Sequence, residues 1–209
     1  MYLDGTIRTY LEDASSGDPT PGGGSVAALA GALGLSMACM AANFTVGKKK
    51  YKDVEPEVKT LLGKCAAARD DLANLMDLDT QAYGAVSQAY GMPKDTPEQK
   101  KARAAAIQQG LKAAMSVPLQ AVRVCRDALE DVRRLVDIAN PNLITDVGVA
   151  AILAEAALRA AKLNVEINLK FLKDEELVSK TREEIDAASK VAKRLSEETL
   201  AKVAEAVSG

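Results

Sequence analysis

Apolar positions recur at helical spacing along almost the whole chain. Leu3, Ile7, Tyr10 and Leu11 outline a short amphipathic helix, which Ser15-Ser16-Gly17-Asp18-Pro19 brings to an end. Residues 26–46 follow with no charged side chain, and they predict a helix enclosed on all sides by other helices. Val54, Val58, Leu61, Leu62, Cys65, Leu72, Leu75, Met76 and Leu78 then repeat in threes and fours towards Tyr90. Gly91-Met92-Pro93 stops that helix, and Thr96-Pro97-Glu98 starts another with proline in its first turn. The next run reaches about Ala139 and contains Pro118, which lacks a backbone donor and should kink or divide it. Asn140-Pro141-Asn142 is a further break, after which Asn142 or Thr145 can cap a helix extending to about Phe171-Leu172. The last run carries Val178, Thr181, Ile185, Ala188, Ala192, Leu195, Thr199, Val203 and Ala206 as a coiled-coil-like stripe. No segment alternates with the period of a strand. The pattern predicts an all-α, up-and-down bundle of roughly five to seven helices, forming one domain over residues 1–209.

Composition agrees with that reading. The chain has 209 residues, of which 48% are apolar but only 3% aromatic, with no Trp. Alanine-rich faces of this kind favour closely packed helices. A net charge of −2 gives no reason to expect a nucleic acid or an anionic membrane as partner. Residues 26–46 are long enough to span a bilayer, but they are poor in Leu, Ile and Phe, carry Asn43 and Thr45, and have no aromatic belt or preceding basic segment. Cys39, Cys65 and Cys125 are odd in number and lack CxxC spacing, so they read as reduced packing residues of a cytoplasmic protein. The chain has no His, which argues against an ordinary zinc or iron site and leaves acid–base work to Asp, Glu, Lys, Tyr or water.

Asp18-Pro19-Thr20-Pro21-Gly22-Gly23-Gly24-Ser25 leads into the charge-free run. Its glycines allow a ligand to approach bare backbone, and Ser25 is a natural N-cap for the helix behind it. Unpaired N–H groups there favour an anionic or carbonyl group, although the same pattern also serves as a plain tight turn. Asp79 shares a helix face with Leu75, Ala82, Tyr83 and Val86, where an apolar residue would be expected, while Asp77 lies about 200° away and faces solvent. A carboxylate on such a face is either paired with a neighbouring helix or part of a site. Asn164 and Asn168 are one turn apart on an Ala/Leu/Ile helix, and Asn43 ends the charge-free run. Asn142 and Asp146 flank a helix start, where an aspartate ordinarily acts as a cap or dipole partner. Lys48, Lys49 and Lys50 can neutralise carboxylates or simply sit in solvent.

Pro19-Thr20-Pro21-Gly22-Gly23-Gly24-Ser25-Val26-Ala27-Ala28 and Asn43-Phe44-Thr45-Val46-Gly47-Lys48-Lys49-Lys50-Tyr51 together resemble the cyclodeaminase/cyclohydrolase family of folate enzymes. The resemblance continues through Asp79-Thr80-Gln81-Ala82-Tyr83, Gly91-Met92-Pro93-Lys94, Val117-Pro118-Leu119, Asn142-Leu143-Ile144-Thr145-Asp146 and Asn164-Val165-Glu166-Ile167-Asn168. It implies a folate one-carbon substrate, a homodimer, and Asp79 as the catalytic aspartate. We take Asp79 and Asp146 as candidate catalytic groups. Pro21, Gly22, Gly23, Gly24, Ser25, Asn43, Lys48, Lys49, Tyr83, Asn142, Asn164 and Asn168 are the candidate substrate contacts. No metal and no cofactor beyond the tetrahydrofolate substrate is expected.

The expected reaction is hydrolysis of methenyltetrahydrofolate, with ammonia-releasing ring closure by a cyclodeaminase as the alternative. Cyclohydrolase is favoured because no formiminotransferase domain accompanies the sequence. A helical interaction protein without catalysis is the third reading, supported by the zipper-like last run and opposed by Asp79, Asn164 and Asn168 on faces that a scaffold would fill with Leu.

Overall fold

The computed structural model describes residues 1–208, so Gly209, the last residue of the expected domain, lies outside the described residues. Six α-helices carry the fold: α1 (Ile7–Ala14), α2 (Gly23–Asn43), α3 (Glu55–Gly91), α4 (Pro97–Ile138), α5 (Ile144–Leu169) and α6 (Glu175–Ser208). Short 3-10 turns occupy Tyr2–Asp4, Lys49–Tyr51 and Pro141–Leu143. No strand occurs among the described residues, and the all-α class stands as expected.

The glycines of α2 show how the helices run. A Cβ on Gly34 would lie 2.9 Å from Leu153 Cβ, so only a bare backbone lets α5 come this near. Further towards the start of α2, Gly31 meets Leu72 and Ala157, Gly24 meets Asp79, and Gly23 meets Asn164. Both α3 and α5 therefore flank α2 and run antiparallel to it. Lys64–Asp131 at 3.0 Å and the Arg134–Glu57 pair set α4 antiparallel to α3. Arg123–Glu184 and Arg133–Glu198 lay α6 parallel to α4, while Lys162–Asp186 ties it to α5. Helices α2 to α5 thus form a four-helix bundle, and α6 covers the α4/α5 side. Leu35, Leu72, Leu129, Leu135 and Leu158 fill the shared core.

Helix starts follow local chemistry. Thr96 accepts from Gln99 N–H, and the Gln99 side chain accepts in return from Thr96 N–H, a capping box ahead of Pro97. At the start of α5 neither Asn142 nor Thr145 caps; Asn140 accepts from Asn142 N–H at 3.1 Å and caps the preceding 3-10 turn. Helix α4 runs through Pro118 undivided, because Met115, Leu119 and Val122 around it are buried and hold both halves against the core.

One expectation about surface is corrected. Helix α2 is not enclosed on all sides: Val26, Leu33 and Met40 remain 46%, 53% and 38% exposed, because α3 and α5 cover its flanks and no described element covers its outer corner. It is long and apolar enough to cross a membrane, and 61% of its most apolar stretch is buried inside the chain. The α6 stripe behaves the opposite way. Thr181, Ile185, Ala188, Ala192, Leu195 and Thr199 are buried against α4 and α5, so that face is used within the chain. All three cysteines are free and buried, and burial pushes the Cys65 thiol up to about 12.

Candidate active site

Helix α2 begins at Gly23, with Gly22 as its N-cap and no capping side chain. Ser25 therefore does not cap the helix; it lies in the first turn, and its hydroxyl turns inward to the Tyr10 hydroxyl at 2.9 Å. Asp79, reaching across from α3, does what a cap would do: its Oδ2 accepts the Ser25 N–H at 3.0 Å. The contact needs glycine beside it. A Cβ on Gly24 would overlap the Asp79 carboxylate, standing 2.6 Å from Cγ.

Electrostatically, Asp79 is held between opposing influences. Burial raises its pKa above the ordinary carboxylate value, and the Ser25 N–H pulls it only partly back. A half-buried carboxylate with a raised pKa accepts a proton more readily than a solvated one. On the opposite flank, Asn164 lies against Gly23, where a Cβ would sit 3.2 Å from its amide. Asn164 donates to Ala160 O at 2.9 Å and Asn168 to Asn164 O at 2.8 Å, so each amide is oriented by its own helix with its carbonyl left to accept. Tyr83 stands one turn beyond Asp79, exposed. Pro21 is buried and Gly22 half-buried at the mouth of the turn.

Tyr10 and Asp77 carry structure that the residue pattern did not reveal. Tyr10 is buried under α1, packs edge-on against Tyr2 with ring centroids 5.1 Å apart, and hydrogen-bonds Ser25. Burial foremost keeps its phenol protonated, and Asp79 and Asp77 act in the same direction. Asp77 is only 5% exposed, against the expectation that it faces solvent. The Tyr2–Asp4 turn covers that side of α3, and Tyr2 N–H donates to Asp77 Oδ1 at 2.8 Å. The N-terminal segment thus buttresses α2 and α3 directly behind the glycine turn.

The remaining candidates are elsewhere. Asn43, Lys48, Lys49 and Asn142 are exposed and Asp146 half-buried at the opposite end of the bundle. Asn43 follows Gly23 by the length of α2, about 30 Å, and Asp146 lies about 27 Å along α5 from Asn164. That far end is held by Thr45, whose hydroxyl donates to Ala41 O and accepts from Asn140 N–H, each at 2.8 Å. Tyr51 donates to Asn140 Oδ1 at 3.1 Å. One chain therefore brings together Pro21 to Ser25, Asp79, Tyr83, Asn164 and Asn168, and does not bring Asn43, Lys48, Lys49, Asn142 or Asp146 to them. Two open grooves, about 930 Å³ between α5 and α6 and about 540 Å³ beside Lys50, include neither group's aspartate.

A half-buried carboxylate at a helix N-terminus that has no capping side chain can accept a proton from a nearby group. Residues 6–187 match the formiminotransferase-cyclodeaminase family, and the chain belongs to it. A methenyltetrahydrofolate cyclohydrolase of Methylorubrum extorquens is 44% identical over 87% of each chain. The formimidoyltransferase-cyclodeaminase of Rattus norvegicus is 33% identical over 91% of this chain, which spans 35% of that longer protein. Among solved structures, a formiminotetrahydrofolate cyclodeaminase of Thermotoga maritima superposes with a TM-score of 0.86 at 32% identity, covering 97% of both chains.

Proposed function

We propose that this chain is a methenyltetrahydrofolate cyclohydrolase, hydrolysing 5,10-methenyltetrahydrofolate to 10-formyltetrahydrofolate. The observation that carries the reading is Asp79: a half-buried carboxylate of raised pKa, set against the first turn of α2, which has no capping side chain of its own. The substrate's amidinium carbon is electrophilic and positively charged. Water attacks it, Asp79 takes the proton, and the carboxylate offsets the substrate's charge as the adduct forms. The bond from that carbon to one ring nitrogen then breaks, the nitrogen takes the electron pair and a proton, and the hydroxyl becomes the formyl carbonyl. The overall reaction consumes one water and releases one proton. Neither a metal nor a redox group enters these steps. Asn164 and Asn168 offer oriented carbonyl oxygens to a pterin.

The second reading, cyclodeaminase, is favoured by the likeness to the Thermotoga maritima structure. The 44% identity to a cyclohydrolase across nearly equal lengths supports the first. One assay separates them. Purified protein with methenyltetrahydrofolate should abolish its near-ultraviolet absorbance, and with formiminotetrahydrofolate should release no ammonia. Rapid ammonia release with inert methenyltetrahydrofolate would reverse the assignment.

In this reading residues 1–209 act as one domain, and the enzyme is a homodimer in the cytoplasm. The exposed apolar corner of α2 supports the dimer, and the buried free thiols suit a reducing compartment. The modest net charge fits neither nucleic acid nor membrane as partner.

A further inference from the structure

We infer that Asp77 is a positioning residue for Asp79, acting through the N-terminal segment that it anchors. The inference rests on the folate reading above and adds what holds the proposed base in place.

The two aspartates are neighbours in sequence but lie about 200° apart around α3, so no direct contact links them. Their connection runs outside the helix. Asp77 Oδ1 accepts the Tyr2 N–H at 2.8 Å. The Tyr2 ring meets the Tyr10 ring edge-on with centroids 5.1 Å apart, and the Tyr2 hydroxyl donates to Asp13 Oδ2 at 2.9 Å. The Tyr10 hydroxyl pairs with Ser25 Oγ at 2.9 Å, and the Ser25 N–H donates to Asp79 Oδ2 at 3.0 Å. The circuit leaves α3 at Asp77 and returns to it at Asp79.

Both segments that the circuit joins are weakly held by themselves. Helix α1 has eight residues and buries only Tyr10, while Leu3, Ile7 and Leu11 stay exposed, and so short a helix is unstable alone. Helix α2 opens with Gly23 and Gly24 behind an N-cap that makes no side-chain bond. Asp77 anchors them at a cost in stability. It is 5% exposed, and its Oδ2, like the Thr80 hydroxyl one turn on, is buried with no hydrogen-bond partner among the described residues. In return, a charged acceptor grips the Tyr2 N–H about twice as strongly as a neutral one. Losing the Tyr10 hydroxyl alone leaves its ring on Tyr2, so the anchor matters more than that one link.

The test is a double-variant cycle read in kcat towards methenyltetrahydrofolate. Asp77→Ala should misplace the base and lower kcat about tenfold, with KM within about twofold of wild type. Asp77→Asn keeps a neutral acceptor and should recover part of that loss; a variant no better than Asp77→Ala overturns the proposal. In the Asp79→Asn background, Asp77→Ala should cost nothing further, because the group it positions is already gone. A further loss of the same size there overturns the proposal, as does wild-type kcat in a folded Asp77→Ala protein. Should Asp77→Ala not fold, Tyr2→Ala leaves both aspartates in place and should show the same loss, and full activity in it overturns the proposal. Amide exchange reads the coupling without turnover. Residues 24–27 should exchange about tenfold faster in Asp77→Asn and Tyr2→Ala than in wild type, and equal protection overturns the proposal. A wild type inert towards methenyltetrahydrofolate overturns the assigned reaction alone, and the exchange rates then decide the coupling.

Discussion

Asp79→Asn separates a catalytic carboxylate from a structural one. Asn retains the volume and an oxygen able to accept the Ser25 N–H, now 3.0 Å from Oδ2. It cannot accept a proton from water or offset a cationic substrate. Loss of a positioned general base costs on the order of a hundredfold or more in turnover, which corresponds to about 2.7 kcal/mol in activation free energy. Stability should move differently. The wild-type protein buries this charge at a cost, as the raised pKa shows, so its removal should leave the urea midpoint unchanged or higher at neutral pH. The assay pairs stopped-flow loss of methenyltetrahydrofolate absorbance with urea unfolding on the same sample. Near-normal turnover in a well-folded variant would refute the mechanism. A lower urea midpoint, with activity falling only as the folded fraction falls, would make Asp79 a helix-capping partner of Ser25 and nothing more.

Three other perturbations follow from the same geometry. Gly24→Ala puts a methyl group into the Asp79 carboxylate, so both the urea midpoint and turnover should drop, and unchanged kinetics would show that the carboxylate position is immaterial. Tyr10→Phe removes a hydroxyl from the buried pair with Ser25 and leaves the serine unpaired, which should lower stability by about 1–3 kcal/mol in denaturant titration while turnover stays within a fewfold of wild type. The pH dependence has a definite sign. Because the folded-state pKa of Asp79 is raised, the folded protein takes up this proton first as pH falls, so this group adds stability from its folded pKa down to the ordinary carboxylate value. Turnover falls over the same window as the base becomes protonated. A comparison of wild type with Asp79→Asn from pH 7 to 4 reads both, and a parallel stability difference at all pH values would contradict the assignment.

The helices were legible because their apolar residues repeat at threes and fours and their ends carry proline, glycine and a capping threonine. What escaped depends on neighbours that no spacing reveals. Asp77 falls on the outward side of α3 by its place on the helix, yet the Tyr2–Asp4 turn comes over it and supplies a backbone donor. Tyr10 looks like one more apolar position of an amphipathic helix, and only the tertiary contact gives its hydroxyl a partner in Ser25. Ser25 reads as a cap because serine often is one, but the Asp79 carboxylate from another helix satisfies its N–H and lets the helix begin earlier. The motifs at the two ends of α2 could be recognised one by one. Their separation by the length of the bundle could not, since it depends on which helices run antiparallel.

The missing charges of residues 26–46 follow from how α2 is surrounded. On its inner faces, Gly31 and Gly34 meet α3 and α5 so closely that even a methyl group would crowd, which excludes any long polar side chain there. The outer corner has no such steric demand, because Val26, Leu33 and Met40 are exposed in the single chain and a lysine or glutamate would be solvated in that corner at little cost. Core packing therefore explains only part of the pattern. A second copy covering that corner would require it to be free of charge, and a wild type that scatters light at the single-chain mass of 22.0 kDa would refute that explanation.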